Sequence, residues 1–158
     1  MIVQNADPGK EIVVLWQTYF AIQTRKQELY SLNQTAKSCD VKNFDKFHNA
    51  GYRGLYNGET ANDIAKRKKL RYREDILDNM NEDELVANLF RINQTKQRLL
   101  KDNVQGDKEA KNVHYEVGKK VRKAIADIGG MMPEEMPTPE KSLKELEKQE
   151  IYKLTGTN

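Results

Sequence analysis

Residues 81–130 read NEDELVANLFRINQTKQRLLKDNVQGDKEAKNVHYEVGKKVRKAIADIGG, and this stretch decides the fold. Asn81 suits a helix cap, accepting from the third amide, and Glu84 stands where it can reach back to the cap in a capping box. Leu85, Leu89, Ile92 and Leu99 then follow 3/4 spacing, interrupted by Lys96, and predict a helix to about residue 101. Gln105-Gly106-Asp107 breaks it. Ala110, Val113, Val117, Val121, Ala124 and Ile128 form the stripe of a second helix over 108–128, ended by Gly129-Gly130. Two long helices joined by so short a turn make an antiparallel hairpin.

The flanking segments extend the helical pattern. Asp7-Pro8 is a start signal for a helix over about 10–31. Val13, Trp16, Phe20, Leu15, Tyr19 and Ile22 make its first half apolar nearly all round, which predicts burial. Residues 23–28 turn polar and are expected in solvent, and 30–40 read as a connection. A short helix is expected over 41–49, with Val41, Phe44 and Phe47 on one face. Gly51, Gly54 and Gly58 fall within eight residues and read as a break. Thr60 caps a helix through Lys68, and a further short helix is expected over 72–80. After a Pro/Met linker over 131–137, a last helix over 139–152 carries Leu143, Leu146, Ile151 and Leu154. Its narrow stripe predicts loose docking or pairing with another chain. The expectation is an all-α, elongated bundle of five to six helices, divided into 1–31, 32–130 and 131–158.

Composition agrees. The chain has 158 residues, 37% hydrophobic and 32% charged, with 9 Gly and 4 Pro, and a mean hydropathy of -0.86. The longest strictly apolar run, residues 12–16, is far short of the ~20 residues of a membrane span. No basic stretch followed by an apolar one opens the chain, so no signal peptide is expected. The single cysteine, Cys39, cannot form an intramolecular disulfide, and a cytoplasmic protein is expected. His48 and His114 are too few for a zinc site or a His-based triad. His114 reads as a partly buried structural histidine and Cys39 as an ordinary thiol. No cofactor, metal ligand set or nucleophile–base pair is identifiable, and a non-enzymatic protein is expected.

The net charge of +3 is too small for a general polyanion binder, so affinity for nucleic acid must come from clustering. One cluster stands out: Lys66, Arg67, Lys68, Lys69, Arg71 and Arg73 place six cations within eight residues. Tyr52, Arg53, Tyr56 and Tyr72 lie nearby in sequence. Cations that follow phosphates, interleaved with rings that stack on bases, suit single-stranded nucleic acid. The plainer reading is a solvated helix end whose cations complement the macrodipole. A helix-turn-helix is opposed by Lys69 in place of the usual turn glycine. Glu74, Asp75 and Asp78 on the would-be reading helix oppose it too. Gly51-Tyr52-Arg53-Gly54 fits the nucleotide clamp of KH domains, but without flanking strands it reads as a turn.

Beyond these patterns, the chain resembles a known family. The carrying stretches are residues 2–8 with 17–25, Gly54-Leu55-Tyr56-Asn57-Gly58-Glu59-Thr60-Ala61, Ala87-Asn88-Leu89-Phe90-Arg91 with Gln94-Thr95, and His114-Tyr115-Glu116-Val117-Gly118-Lys119. Met132-Pro133-Glu134-Glu135 and residues 137–142 complete them. Together they are similar to the DNA-damage-inducible protein D (DinD) family, with the first stretch resembling the end of a BRO-type domain. The resemblance implies a role in the bacterial DNA-damage (SOS) response, around recombination and repair, on single-stranded DNA or the recombinase filament coating it. It brings no catalytic site. BRO-type domains also occur in phage antirepressors, which supplies the alternative of a regulatory protein-interaction module that does not bind DNA. Most of a BRO-type domain would precede Met1, so the apolar first helix is expected to lack that partner. Covering Leu15, Trp16, Tyr19 and Phe20 is worth about 1.5–3 kcal/mol for each large side chain, which predicts a homo-oligomer through that helix.

Overall fold

In a computed structural model, residues 8–71 and 76–156 are described, with side chains from Gln23 onward. The described chain is helical: α1 (Pro8–Ser38), α2 (Phe44–Leu55), α3 (Ala61–Arg67), α4 (Glu82–Lys101), α5 (Asp107–Ile128) and α6 (Leu143–Thr155). Short 3-10 turns at Leu77–Asn79 and Pro133–Glu135 join them, and no strand occurs among the described residues. No helix is long and apolar enough to cross a membrane among the residues described.

The α4–α5 hairpin is the frame. Asn81 caps α4 by accepting from the Glu84 N–H at 2.8 Å, and Gly129 closes α5 in the left-handed conformation at φ 85°. The Glu84 carboxylate, however, does not reach back to the cap; it turns into the core. The complete capping box belongs to α3, where Thr60 and Asp63 exchange bonds at 3.2 and 2.9 Å. Asp107, opening α5, accepts the backbone N–H of both Lys42 and Asn43, at 3.0 and 3.1 Å. Those two bonds, the Asn43 one foremost, hold its carboxyl below the ordinary range. They also start α2 beside α5, so the two helices run side by side in the same direction.

Two segments depart from the sequence reading. The expected connection at 30–40 is the last turns of α1, which continues to Ser38. Leu29, Leu32, Ala36 and Cys39 recur at helical spacing, and Leu32 and Ala36 are fully buried. Residues 23–28 are not simply solvated either: Arg25 is buried in an ion pair with Asp78. Polar Ser, Asn and Thr on the outer face hid this stripe. Likewise Gly51 and Gly54 do not break α2 but lie inside it. A Cβ at Gly54 would stand 2.3 Å from the Tyr115 carbonyl oxygen, and one at Gly118 would stand 2.7 Å from the Gly51 carbonyl oxygen. The glycines are there because α2 and α5 meet backbone to backbone. Over 72–80, the expected helix is represented among the described residues by the 3-10 turn at Leu77–Asn79.

The core runs between these helices through Leu32, Phe47, Leu55, Ile64, Ile76, Ile92, Leu99 and Val104, each almost fully buried. α1 packs on α4, α4 on α5, and α5 on α2. α6 has no buried residue and rests lightly against α1, as its narrow stripe predicts.

Candidate nucleic-acid interface

The mid-chain cluster is divided by the fold. α3 ends where Lys69 adopts a left-handed φ of 60°, with the Leu70 N–H donating to the Ala65 carbonyl at 2.8 Å. This turn sets one cation of the run apart from its neighbours. Lys66, Arg67, Lys69 and Arg71 are exposed, whereas Lys68 points inward and is buried. Arg67 is held as a fork on Glu59, its Nε donating at 2.9 Å and its Nη2 at 3.1 Å. It also lies 5.9 Å from the Tyr56 ring centroid. Arg73 and Tyr72 lie outside the described residues.

Lys68 is therefore corrected from a phosphate contact to a core residue. Its Nζ donates to Glu84 Oε1 at 2.7 Å, to the Asn79 carbonyl at 3.1 Å and to Thr138 Oγ1 at 3.0 Å. Both partners of this ion pair have 0% exposed side chains. Tyr56 is likewise withdrawn from any stacking role. It is buried and donates its hydroxyl to Glu84 Oε2 at 2.5 Å; burial first, and Glu84 next, push the phenol well above its usual range.

The chain of hydrogen bonds continues. Asn88 Nδ2 donates to the Tyr56 hydroxyl at 2.9 Å, and Asn88 Oδ1 accepts from Arg91 Nη2 at 2.9 Å. Arg91 Nη1 donates to His114 Nε2 at 2.6 Å, and His114 Nδ1 donates to the Phe47 carbonyl at 2.9 Å. Burial, then the Arg91 charge, holds His114 well below its ordinary pKa, so the ring is neutral and this proton assignment follows. His114 is fully buried, not partly. Tyr52 is half-buried, with the Arg91 guanidinium 4.8 Å from its ring centroid. Its face is thus occupied. An acidic, aromatic and basic chain links α3, α2, α4 and α5 through the interior, where sequence alone had placed part of it on the surface.

Arg53 stays exposed on α2. The Asp63 carboxyl is held below its ordinary range, chiefly by its bonds with Thr60 and then by the Arg53 and Lys66 charges. Arg53 and the end of α3 are thereby joined into one electrostatic neighbourhood. Of the expected oligomer contacts, Leu15, Trp16, Tyr19 and Phe20 lie on α1, and their side chains are outside the described residues.

Other cations were missed. Lys46, Lys111 and Lys119 join the expected Arg53 along the α2–α5 seam, with Tyr115 between them. They lie up to 73 positions apart in sequence, so no local run betrays them. The glycines at 51, 54 and 118 were the available signal that these helices touch. Among the described residues, no group of three or more His, Cys, Asp or Glu is arranged to hold a metal ion.

Comparison with known proteins gives the lineage. Residues 20–146 match the family described as the DinD C-terminal domain. The chain is 40% identical over 176 aligned positions to the DNA damage-inducible protein D of Escherichia coli (strain K12). That alignment takes in 93% of this chain and 64% of the relative, so the chain spans somewhat under two thirds of that protein's length. No solved structure matches. A family match across most of the chain, in agreement with the stretches read from the sequence, settles the assignment: the chain belongs to the DinD family, through its C-terminal domain.

Proposed function

We propose that this chain serves in the response to DNA damage, by which its E. coli relative is named inducible, by binding the phosphate backbone of single-stranded DNA, bare or coated by a recombinase. The observation that carries this reading is the exposed cationic end of α3, Lys66, Lys69 and Arg71, with Arg53 across Asp63. Such a set suits salt-dependent, sequence-independent contact with phosphates. The proposed action is binding without catalysis, by a cytoplasmic accessory protein. Self-association through Leu15, Trp16, Tyr19 and Phe20 belongs to the same reading, and light scattering at micromolar concentration checks it. The exposed Ile151, Tyr152 and Leu154 of α6 favour a second reading, a module that grips a protein and never touches DNA.

Anisotropy titration of a labelled random single strand at stepped salt separates the two. Single-strand affinity should fall steeply with salt. Lys66→Gln/Lys69→Gln/Arg71→Gln should flatten the log–log slope by about 2, at roughly 0.7 per lost phosphate contact. No salt-dependent binding by the unaltered protein would reject the DNA reading.

A further inference from the structure

We infer that the groove along the α2–α5 seam is a binding track for single-stranded nucleic acid, with Tyr115 as the platform on which a base stacks. This rests on the reading that the chain binds such strands, and names a second and larger part of the surface that does so.

The groove is two adjoining shallow concavities of about 610 and 440 Å³. Arg53 and Tyr115 line both. Lys46 and Lys111 flank the first, and Lys119, Arg122 and Lys123 the second. Not one carboxylate lines either concavity. Arg122 and Lys123 are spoken for, paired with Glu134 and Asp127. Lys46, Arg53, Lys111 and Lys119 have no ion pair among the described residues. Two carboxylates that feel this set are each also tied to the backbone. Asp107, which feels Lys111, accepts two backbone N–H groups. Asp63, which feels Arg53, caps α3. These carboxylates temper the charge at Arg53 and Lys111, but neither forms an ion pair with a groove cation, so the lining itself stays cationic.

The groove's length follows from the helix. From Lys111 to Lys123 is twelve residues, or about 18 Å at 1.5 Å per residue. Cations stand on both walls along it. Tyr115 sits near the middle, 39% exposed; the Lys119 ammonium lies 5.5 Å from its ring centroid, but unlike the buried Arg91 on Tyr52 it is exposed and can swing to a phosphate as a base takes the ring face. An aromatic face among cations on a carboxylate-free floor is the arrangement that holds unpaired bases and their phosphates together. An acidic peptide would use the cations but gain little from the ring.

The test uses the full chain and four surface variants, the α3-end variant above among them, each first checked for an unchanged melting temperature. Lys46→Gln/Arg53→Gln/Lys111→Gln/Lys119→Gln should weaken binding of a random single-stranded oligonucleotide about 100- to 1,000-fold at 0.1 M salt. It should also flatten the salt slope by nearly 3. Tyr115→Ala should weaken it about 5- to 100-fold, with Tyr115→Phe close to the unaltered protein. A bromodeoxyuridine strand should photocrosslink at Tyr115. Normal binding by the four-residue variant, or equal affinity for polyglutamate and the strand, would overturn the groove assignment. If the α3-end variant alone loses binding, the groove falls while the DNA reading stands. If the unaltered protein does not bind, both fall.

Discussion

Replacing Lys68 with Met should be among the most damaging single changes in this protein, although it only removes one of 27 Lys and Arg residues. The ammonium makes three hydrogen bonds, and it and the Glu84 carboxylate are completely enclosed. Met fills a similar volume, so packing is roughly conserved. What is lost is the counter-charge. Glu84 then keeps the Tyr56 hydroxyl at 2.5 Å and its own backbone bonds, but no cation. Breaking a buried pair from one side costs about 3–5 kcal/mol, because a charge is left uncompensated. Against a total of about 5–15 kcal/mol for an ordinary domain, this is a large share. The melting temperature should fall by about 6–20 °C, at roughly 2–4 °C per kcal/mol for this size. Urea unfolding followed by circular dichroism measures the loss directly. Lys68→Met/Glu84→Gln removes both charges and leaves an amide oxygen for Tyr56, so it should regain at least half of what the single variant loses. A single variant within 1 kcal/mol of the unaltered protein, or a double variant no more stable than the single, would refute the reasoning.

Gly54→Ala and Gly118→Ala should each destabilise by about 1–3 kcal/mol, opposite in sign to the gain of about 1 kcal/mol that Gly→Ala gives inside an uncrowded helix; thermal melts decide the sign. Stability should fall as pH drops below 6.5. His48 is held to about 4, by burial foremost, and His114 well below its ordinary value, so the unfolded chain takes up protons that the folded one refuses. Each histidine contributes up to about 1.4 kcal/mol per pH unit in that window. Urea titrations at pH 7, 6 and 5 measure it, and a flat profile would contradict the buried neutral rings. Leu32→Ala should cost about 2–5 kcal/mol and Tyr30→Ala under about 0.5 kcal/mol, a contrast in chemical denaturation that follows only if α1 continues past residue 31.

How much the sequence disclosed depended on whether the signal was local. The α4–α5 hairpin was legible because its cap, stripe and terminal glycine lie within a few residues of the positions they control. Gly51 and Gly54 misled for the converse reason. Their reason for being glycine is Gly118, more than 60 positions on. In α1, the polar composition of 31–38 outweighed a stripe of four residues that only burial makes visible. The candidate surface divides in the same way. Lys66 and Lys69 look like Lys68 in sequence, yet Lys68 faces a carboxylate 16 residues away. The groove cations never gather in the chain at all; only the side-by-side course of α2 and α5 assembles them.

That course also sets an order of assembly. α4 and α5 are joined by a handful of residues and can zip together early, since short loops close at little entropic cost. The α2–α5 seam instead joins segments some 60 residues apart, the kind of pairing that slows folding. Truncations or tags that delay α5 during synthesis should thus leave α2 exposed longest, with its Phe47 and Leu55 face the first site for a chaperone to hold.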